Sequence, residues 1–379
     1  MAMVTGLSGN EIFCMALKHY TPGEIVVGNS VQSLGFLGGL VSGFKSMAGG
    51  EIEQVTEAIE AGRIKAFERM VAEAQREGAA GITGVTSELI DLAGNTEFLF
   101  IGSCLKNEGQ NGTRGAPDRP FFTSAGSGQE LYCNIDAGYT PLHHVFGNIA
   151  YSTGLGGGLL GGLKTLVRGE IEEYSNIFNA TRQTALDRIV AQAKACGANS
   201  VVGIRTSVRF WHGAHEMLMT GTAAHNPVLP DEYLKAPVTS DLTGEELWAM
   251  SSLGYAPVKL LISASIYSLG MAGGIKAAFK AFTKGEISDL TTLIHDAREV
   301  AIGRLKREAD ALGAQDVVGV KTYVAELGNS LVEFLAIGTA IKKIDGVGVT
   351  TPTLPVHAIV AEKDTWIDKT LGLSLDRRE

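Results

Sequence analysis

Cysteine is scarce in this chain, and its spacing is uninformative of any cross-link. Four cysteines (Cys14, Cys104, Cys133, Cys196) occur in 379 residues, far apart and without a CxxC pair. That excludes a disulfide-stapled scaffold and a zinc ribbon, and a reducing cytoplasm fits best. Basic charge is also short: 32 Lys and Arg against 41 Asp and Glu give a net charge of −9. A nucleic-acid binder normally shows clustered excess Lys and Arg, so no nucleic-acid partner is expected. The N-terminus lacks a charged n-region followed by an apolar stretch, so no secretory signal is read. The 20-residue run without charge, Ile25–Phe44, is interrupted by Asn29, Ser30, Gln32 and Ser33, too polar for a spanning helix. A GxxxxGK[ST] phosphate loop is missing, and no Ser-His-Asp, Cys-His or paired-carboxylate set recurs.

What the chain does have is one unit written three times. Gly50-Glu51, Gly169-Glu170 and Gly285-Glu286 are spaced by 119 (170 − 51) and 116 (286 − 170) residues. The same offsets carry Tyr20-Thr21-Pro22 onto Tyr139-Thr140-Pro141 and Tyr255-Ala256-Pro257, and Gly78-Ala79 onto Gly197-Ala198 and Gly313-Ala314. A register held this long implies three domains of one fold. They are placed at 8–107, 127–226 and 243–344, with a tail at 345–379 expected to be partly ordered at most. The connections 107–125 and 226–240 are rich in Gly, Pro and Asn and read as exposed linkers.

Each unit opens on a capping box: Ser8 to Glu11, Ser127 to Glu130, Thr243 to Glu246. A short helix is predicted to follow and to stop before the Tyr-x-Pro element. Next comes a β-branched strand at 24–31, 145–151 and 260–267, then a glycine-rich segment ending near Lys45, Lys164 and Lys280. The most secure element is a long helix over about 51–77 and its equivalents. Its apolar positions Ile52, Val55, Ile59, Ala66, Met70 and Ala74 step by threes and fours, and Gly78 sits where a left-handed glycine ends a helix. Two strands joined by a tight turn close the unit, giving α+β architecture: three tandem β-α-β-β domains, each behind a short capped helix.

The unit resembles the YbjQ-like family, which carries a heavy-metal-binding label. The residues that match are the Gly-Glu entry to the helix, the mid-helix Gly62-Arg63-Ile64-Lys65-Ala66 and Ala297-Arg298-Glu299-Val300-Ala301, and the helix exit over 197–204 and 313–320. The closing Gly221-Thr222-Ala223 and Gly338-Thr339-Ala340 belong to the same pattern. The resemblance implies a dodecin-like subunit, closure into a five-fold ring by self-association, and no catalytic residues. For this chain it implies a homo-oligomer, a pentamer, with each repeat forming its own tier; three copies packed on one another within the chain are the alternative.

Two sets of side chains stand out. Arg63, Arg182 and Arg298 are equivalent and fall on the apolar helix stripe, so each needs a carboxylate or carbonyl partner; Glu97, Glu216 and Glu333 recur alongside them. They are read as structural pairs that fix packing within or between subunits. Histidines concentrate in the second unit. His212 and His215 flank a tight turn with Glu216 beside them, a two-His, one-carboxylate set able to bind a divalent transition metal. His143 and His144 follow the second Tyr-x-Pro element. The leading expectation is a non-enzymatic, self-assembling ring or stacked-ring protein without a resident cofactor, holding a small ligand in its pores or grooves. The alternative is a metal-binding or metal-buffering protein.

Overall fold

The computed structural model describes residues 2–33, 50–92, 94–107, 120–152, 169–211, 214–268, 288–328 and 331–359. The glycine-rich segments, with Lys45, Lys164 and Lys280, lie outside them, as does His212.

Three capping boxes start three short helices, α1 (Gly9–Ala16), α3 (Gly128–Asp136) and α6 (Gly244–Ser252). In each the cap hydroxyl accepts from the backbone of the third helical residue, and that residue's carboxylate accepts from the cap N–H, at 2.9 Å in all three. The first long strands, β1 (Tyr20–Gln32), β6 (Thr140–Ser152) and β11 (Tyr255–Ser268), begin earlier than expected. The proline of the Tyr-x-Pro element is inside the strand in all three units. Proline cannot donate to a ladder, and the register shifts immediately after Pro22, Pro141 and Pro257.

The first two units then each contribute a two-residue strand at the Gly-Glu, β2 (Gly50–Glu51) and β7 (Gly169–Glu170). The long helices α2 (Glu53–Arg76), α4 (Glu172–Ala195) and α7 (Ser288–Ala311) are each 24 residues, about 36 Å at 1.5 Å per residue. Gly78, Gly197 and Gly313 follow them at φ +68, +76 and +64, the left-handed conformation that lets the chain turn away. Hairpins close the units: β3 (Gly81–Leu92) with β4 (Asn95–Asn107), β8 (Ser200–Trp211) with β9 (Ala214–His225), and β12 (Asp316–Gly328) with β13 (Leu331–Lys343). Two further strands lead into the second and third units, β5 (Phe122–Thr123) and β10 (Val238–Thr239), the latter after a single helical turn, α5 (Glu232–Lys235).

Sheet order shows how the units relate: β1-β4-β3-β5, then β10-β8-β9-β6-β2, then β12-β13-β11-β7. Each two-residue strand leaves its own unit. The β2 strand of unit 1 pairs antiparallel with β6 of unit 2, and β7 of unit 2 pairs with β11 of unit 3. In the opposite direction, β5 and β10 add in parallel to β3 and β8 of the preceding unit. The expectation of one tier per repeat is therefore corrected: the three units stand side by side, interlocked through backbone hydrogen bonds. The cores follow suit. Phe146, Ala150 and Leu218 of unit 2 complete the core over Val55, Ile59 and Met70 of unit 1. Leu260, Ala264 and Ile266 of unit 3 do the same over Phe178, Ala185 and Ile189.

Residues 345–359 of the tail pack across the capping helices, and 360–379 lie outside the described residues. Asp136, 1% exposed, accepts from Lys18 Nζ at 2.6 Å, Trp248 Nε1 at 2.8 Å and Thr351 Oγ1 at 2.8 Å. One carboxylate thus ties unit 1, unit 3 and the tail to unit 2. Burial alone would raise its pKa, but these donors hold it below the ordinary value. Among the described residues no helix is long and apolar enough to cross a membrane.

Helix and sheet approach most closely at Gly28 and Gly147. A Cβ on Gly147 would lie 2.2 Å from the Ala185 carbonyl oxygen, and one on Gly28 2.0 Å from that of Ala66. Backbone cannot yield as a side-chain tip can. Gly147→Ala is expected to destabilise by about 1–3 kcal/mol or more through overpacking, read as a lower urea midpoint. Unit 3 has Ser263 at this place, buried with no partner for its hydroxyl among the described residues, so Ser263→Ala should be neutral or better.

Candidate functional site at the junctions between units

The recurrent charged residues meet where one unit abuts the next. The junction begins at the N-terminus of the long helix, which has no side-chain cap of its own. Its first orphan donors turn instead to the following unit. Ile52 N–H donates to Ala150 O at 2.7 Å, and Ile171 N–H donates to Ile266 O at the same distance. In return the Thr56 and Ser175 hydroxyls accept from the Ala150 and Ile266 amides, both at 2.9 Å.

Two ion pairs flank this seam. Arg63 pairs with Glu216 at 2.7 Å, both side chains 2% exposed, and Arg63 also donates to Ser87 Oγ. Arg182 pairs with Glu333 in the same way, its side chain 4% and that of Glu333 9% exposed. In the opposite direction Glu51 pairs with Arg188 at 2.7 Å, and Glu170 with Arg304 at 2.8 Å. Each junction therefore carries one buried pair running forward and one half-buried pair running back. The closing Gly-Thr-Ala supplies a third element. Thr222 Oγ1 accepts from Ala125 N at 3.0 Å and Thr339 Oγ1 from Asp241 N at 3.2 Å, anchoring the segments behind β5 and β10.

These placements redirect two expectations. Arg298 and Glu333 belong to one unit and do not pair; Glu333 reaches Arg182 because the preceding helix packs on β11, the strand paired with β13 at Ile266–Glu333. Arg298 is exposed, its guanidinium 5.5 Å from the Phe334 ring, and Glu97 is half-buried, accepting from Asn29 Nδ2 at 2.9 Å. The metal set also separates. His215 and Glu216 are neighbours on β9, and successive strand residues face opposite sides of a sheet. His215 stacks on Tyr151 at 5.4 Å beside the junction of units 2 and 3, whereas Glu216 is committed to Arg63 at the junction of units 1 and 2. Among the described residues no three His, Cys, Asp or Glu side chains are grouped to hold an ion. Cys14, Cys104 and Cys133 are buried free thiols, with burial lifting Cys14 and Cys104 to about 11.

The sequence reading missed the Glu51–Arg188 and Glu170–Arg304 pairs, although their signal was available. Arg69, Arg188 and Arg304 recur at the same offsets as the Gly-Glu anchors. It named His144 without giving it a place in the core; the residue is 1% exposed among Phe67, Phe100 and Phe146, with neither ring nitrogen hydrogen-bonded among the described residues. Its counterpart in unit 3 is Leu260.

Comparison with known proteins agrees with the threefold reading. A family described as "Putative heavy-metal-binding", YbjQ, matches at 15–106, 139–226 and 256–343. An encapsulin nanocompartment protein of Mycobacterium tuberculosis is 27% identical over 243 residues, covering 61% of this chain and 90% of that protein. A UPF0145 protein of Acinetobacter baylyi is 39% identical over 97 residues, covering 24% of this chain and 90% of its own length. One from Archaeoglobus fulgidus is 44% identical over 80 residues, covering 21% and 74%. No solved structure matches significantly.

Proposed function

Because this chain belongs to the YbjQ family in three consecutive stretches, we propose that it is a non-enzymatic, self-assembling protein whose copies join head to tail. The observation that carries this reading is that the two ends of the chain are the two halves of a junction formed twice inside it. Unit 3 presents Arg298 exposed, where Arg63 and Arg182 are buried against their partners. Unit 1 presents Glu97 half-buried and Arg69 exposed, the counterparts of Glu216 and Arg188. Apolar residues follow the same division. Val27 and Val31 of β1 are 45% and 52% exposed, while their counterparts Phe146 and Ala150 are 4% and 1%. Val320 of β12 is 46% exposed against 3% for both Val85 and Ile204. Met3 and Val4 are equivalent to Phe122-Thr123 and Val238-Thr239, and match the edge of β12, unpaired among the described residues, in a second copy.

A contact of this kind is heterologous: it closes a ring when the rotation permits and otherwise propagates. A closed ring built head to tail from whole chains holds a multiple of three units, fifteen for a pentamer of chains. Relatives support the assembling role, since one bears the name of an encapsulin nanocompartment protein.

Charge reversal tests the reading. Mass photometry of the untagged protein should show multiples of the 39.9 kDa chain. Arg298→Glu should weaken association by about a hundredfold, in the range for breaking a buried interfacial pair. Adding Glu97→Arg in the same chain should restore it, because every intermolecular junction then carries the swapped pair. A wild type that stays a single chain at micromolar concentration, or an assembly indifferent to Arg298→Glu, would overturn the proposal.

A further inference from the structure

The two internal junctions share a backbone plan but are filled differently. At the first, Phe98 and Phe100 of β4 and Phe146 of β6 are 0%, 0% and 4% exposed. The Phe100 ring lies 5.4 Å from Phe67 and 5.9 Å from Phe146. Phe98 is so close to the helix that a Cβ on Gly62 would meet its ring at 2.3 Å. Arg209 spans the remaining gap, donating to the Leu89 carbonyl at 3.0 Å. At the second junction the five large side chains are replaced by smaller ones, Met217, Met219, Ile262, Leu186 for Phe67 and Ala325 for Arg209, while Thr181 stands for Gly62. The space left is a cavity of about 620 Å³, within the range of small-molecule sites.

Its chemistry is specific. Met217, Met219, Ile262, Leu335 and Ile337 give it an apolar body, and the Arg182–Glu333 pair lies along its wall with Tyr151 and His215. Arg63 has Ser87 for one of its donors, but Arg182 has none beyond Glu333: its Nε and Nη1 are buried without a hydrogen-bond partner among the described residues. A buried guanidinium with open donors beside an apolar cavity calls for an acceptor that arrives with an apolar body. We propose that the cavity between units 2 and 3 binds a small, mainly apolar acid of the fatty-acid type, its carboxylate hydrogen-bonded to Arg182. The site lies within one chain and does not depend on head-to-tail assembly.

The test uses the full chain, with the fluorophore anilinonaphthalene sulfonate as reporter and decanoate as competitor. The expected result is one saturable reporter site per chain, emptied by decanoate. Met217→Phe with Met219→Phe copies the first junction and should lower affinity for both probes by about tenfold or more, as expected when a pocket is sterically filled. Val208, which borders the cavity but is 47% exposed, allows a second variant that spares the core. Val208→Trp should obstruct the opening with the same loss, and it decides the matter should the double variant fail to fold. Non-saturable reporter binding, no competition by decanoate, or unchanged affinity in a folded Val208→Trp protein would each overturn the proposal.

Discussion

Glu216→Ala is expected to destabilise the protein by about 3–5 kcal/mol, the usual cost of leaving a buried charge unpaired. Arg63 would remain 1% exposed with its Nη2 partner removed. An arginine cannot shed its proton to escape, since it stays ionised under all ordinary conditions. Urea unfolding followed by circular dichroism measures the loss. The double variant Arg63→Met with Glu216→Leu removes both charges and should recover most of it, because the desolvation cost disappears with the attraction. A double-mutant cycle would then show strong coupling between the two positions. If the Arg63→Met and Glu216→Leu losses simply add, the pair does not hold the first junction together.

The second large effect concerns acid. Burial, with His143 adding to it, pushes the His144 pKa from 6.5 down to about 3. Above pH 6.5 the imidazole is neutral in both folded and unfolded chains and contributes nothing to the pH dependence. As pH falls below 6.5 the unfolded chain takes a proton that the fold refuses, so stability declines until the folded group titrates near 3. About two pH units below the unfolded value, that difference is roughly 2–3 kcal/mol. His144→Leu copies Leu260 of unit 3 and should abolish this part of the acid sensitivity. It should also raise stability at neutral pH by about 1–3 kcal/mol, since two unsatisfied ring nitrogens leave the core. Unfolding midpoints of the variant and wild type should therefore diverge as pH is lowered. Parallel curves would show that His144 is not the group being protonated.

What the sequence discloses here follows the range of the forces involved. Capping boxes, the long helix, its glycine stop and the closing hairpins were legible because each is specified by residues within a few positions of one another. The two-residue strands at Gly50-Glu51 and Phe122-Thr123 were not, since so short a segment has no periodicity and acquires its partner from another unit. Recurrence pointed to Arg63, Arg182 and Arg298 and to their glutamates, yet repetition conceals which copy pairs with which. Every residue has two equivalents, and only the path of the helix over the next sheet selects Glu333 for Arg182. The cavity was hidden for a related reason. Met217 and Phe98 are both unremarkable apolar residues until superposed, and only then does the difference in their volumes become space.

Joining the units in series has a consequence for how the protein responds to dilution. The junctions at Arg63–Glu216 and Arg182–Glu333 close within one molecule, where the partner is present at a fixed effective concentration that dilution does not change. The proposed third junction, between copies, would obey mass action. A separate single-unit protein would shed units one at a time, whereas this chain should come apart only into intact three-unit arcs, with one dissociation constant and a smallest species of 39.9 kDa. In the proposed assembly, fusion moves two of every three contacts out of the reach of protein concentration, leaving one contact per chain through which the extent of assembly would be set.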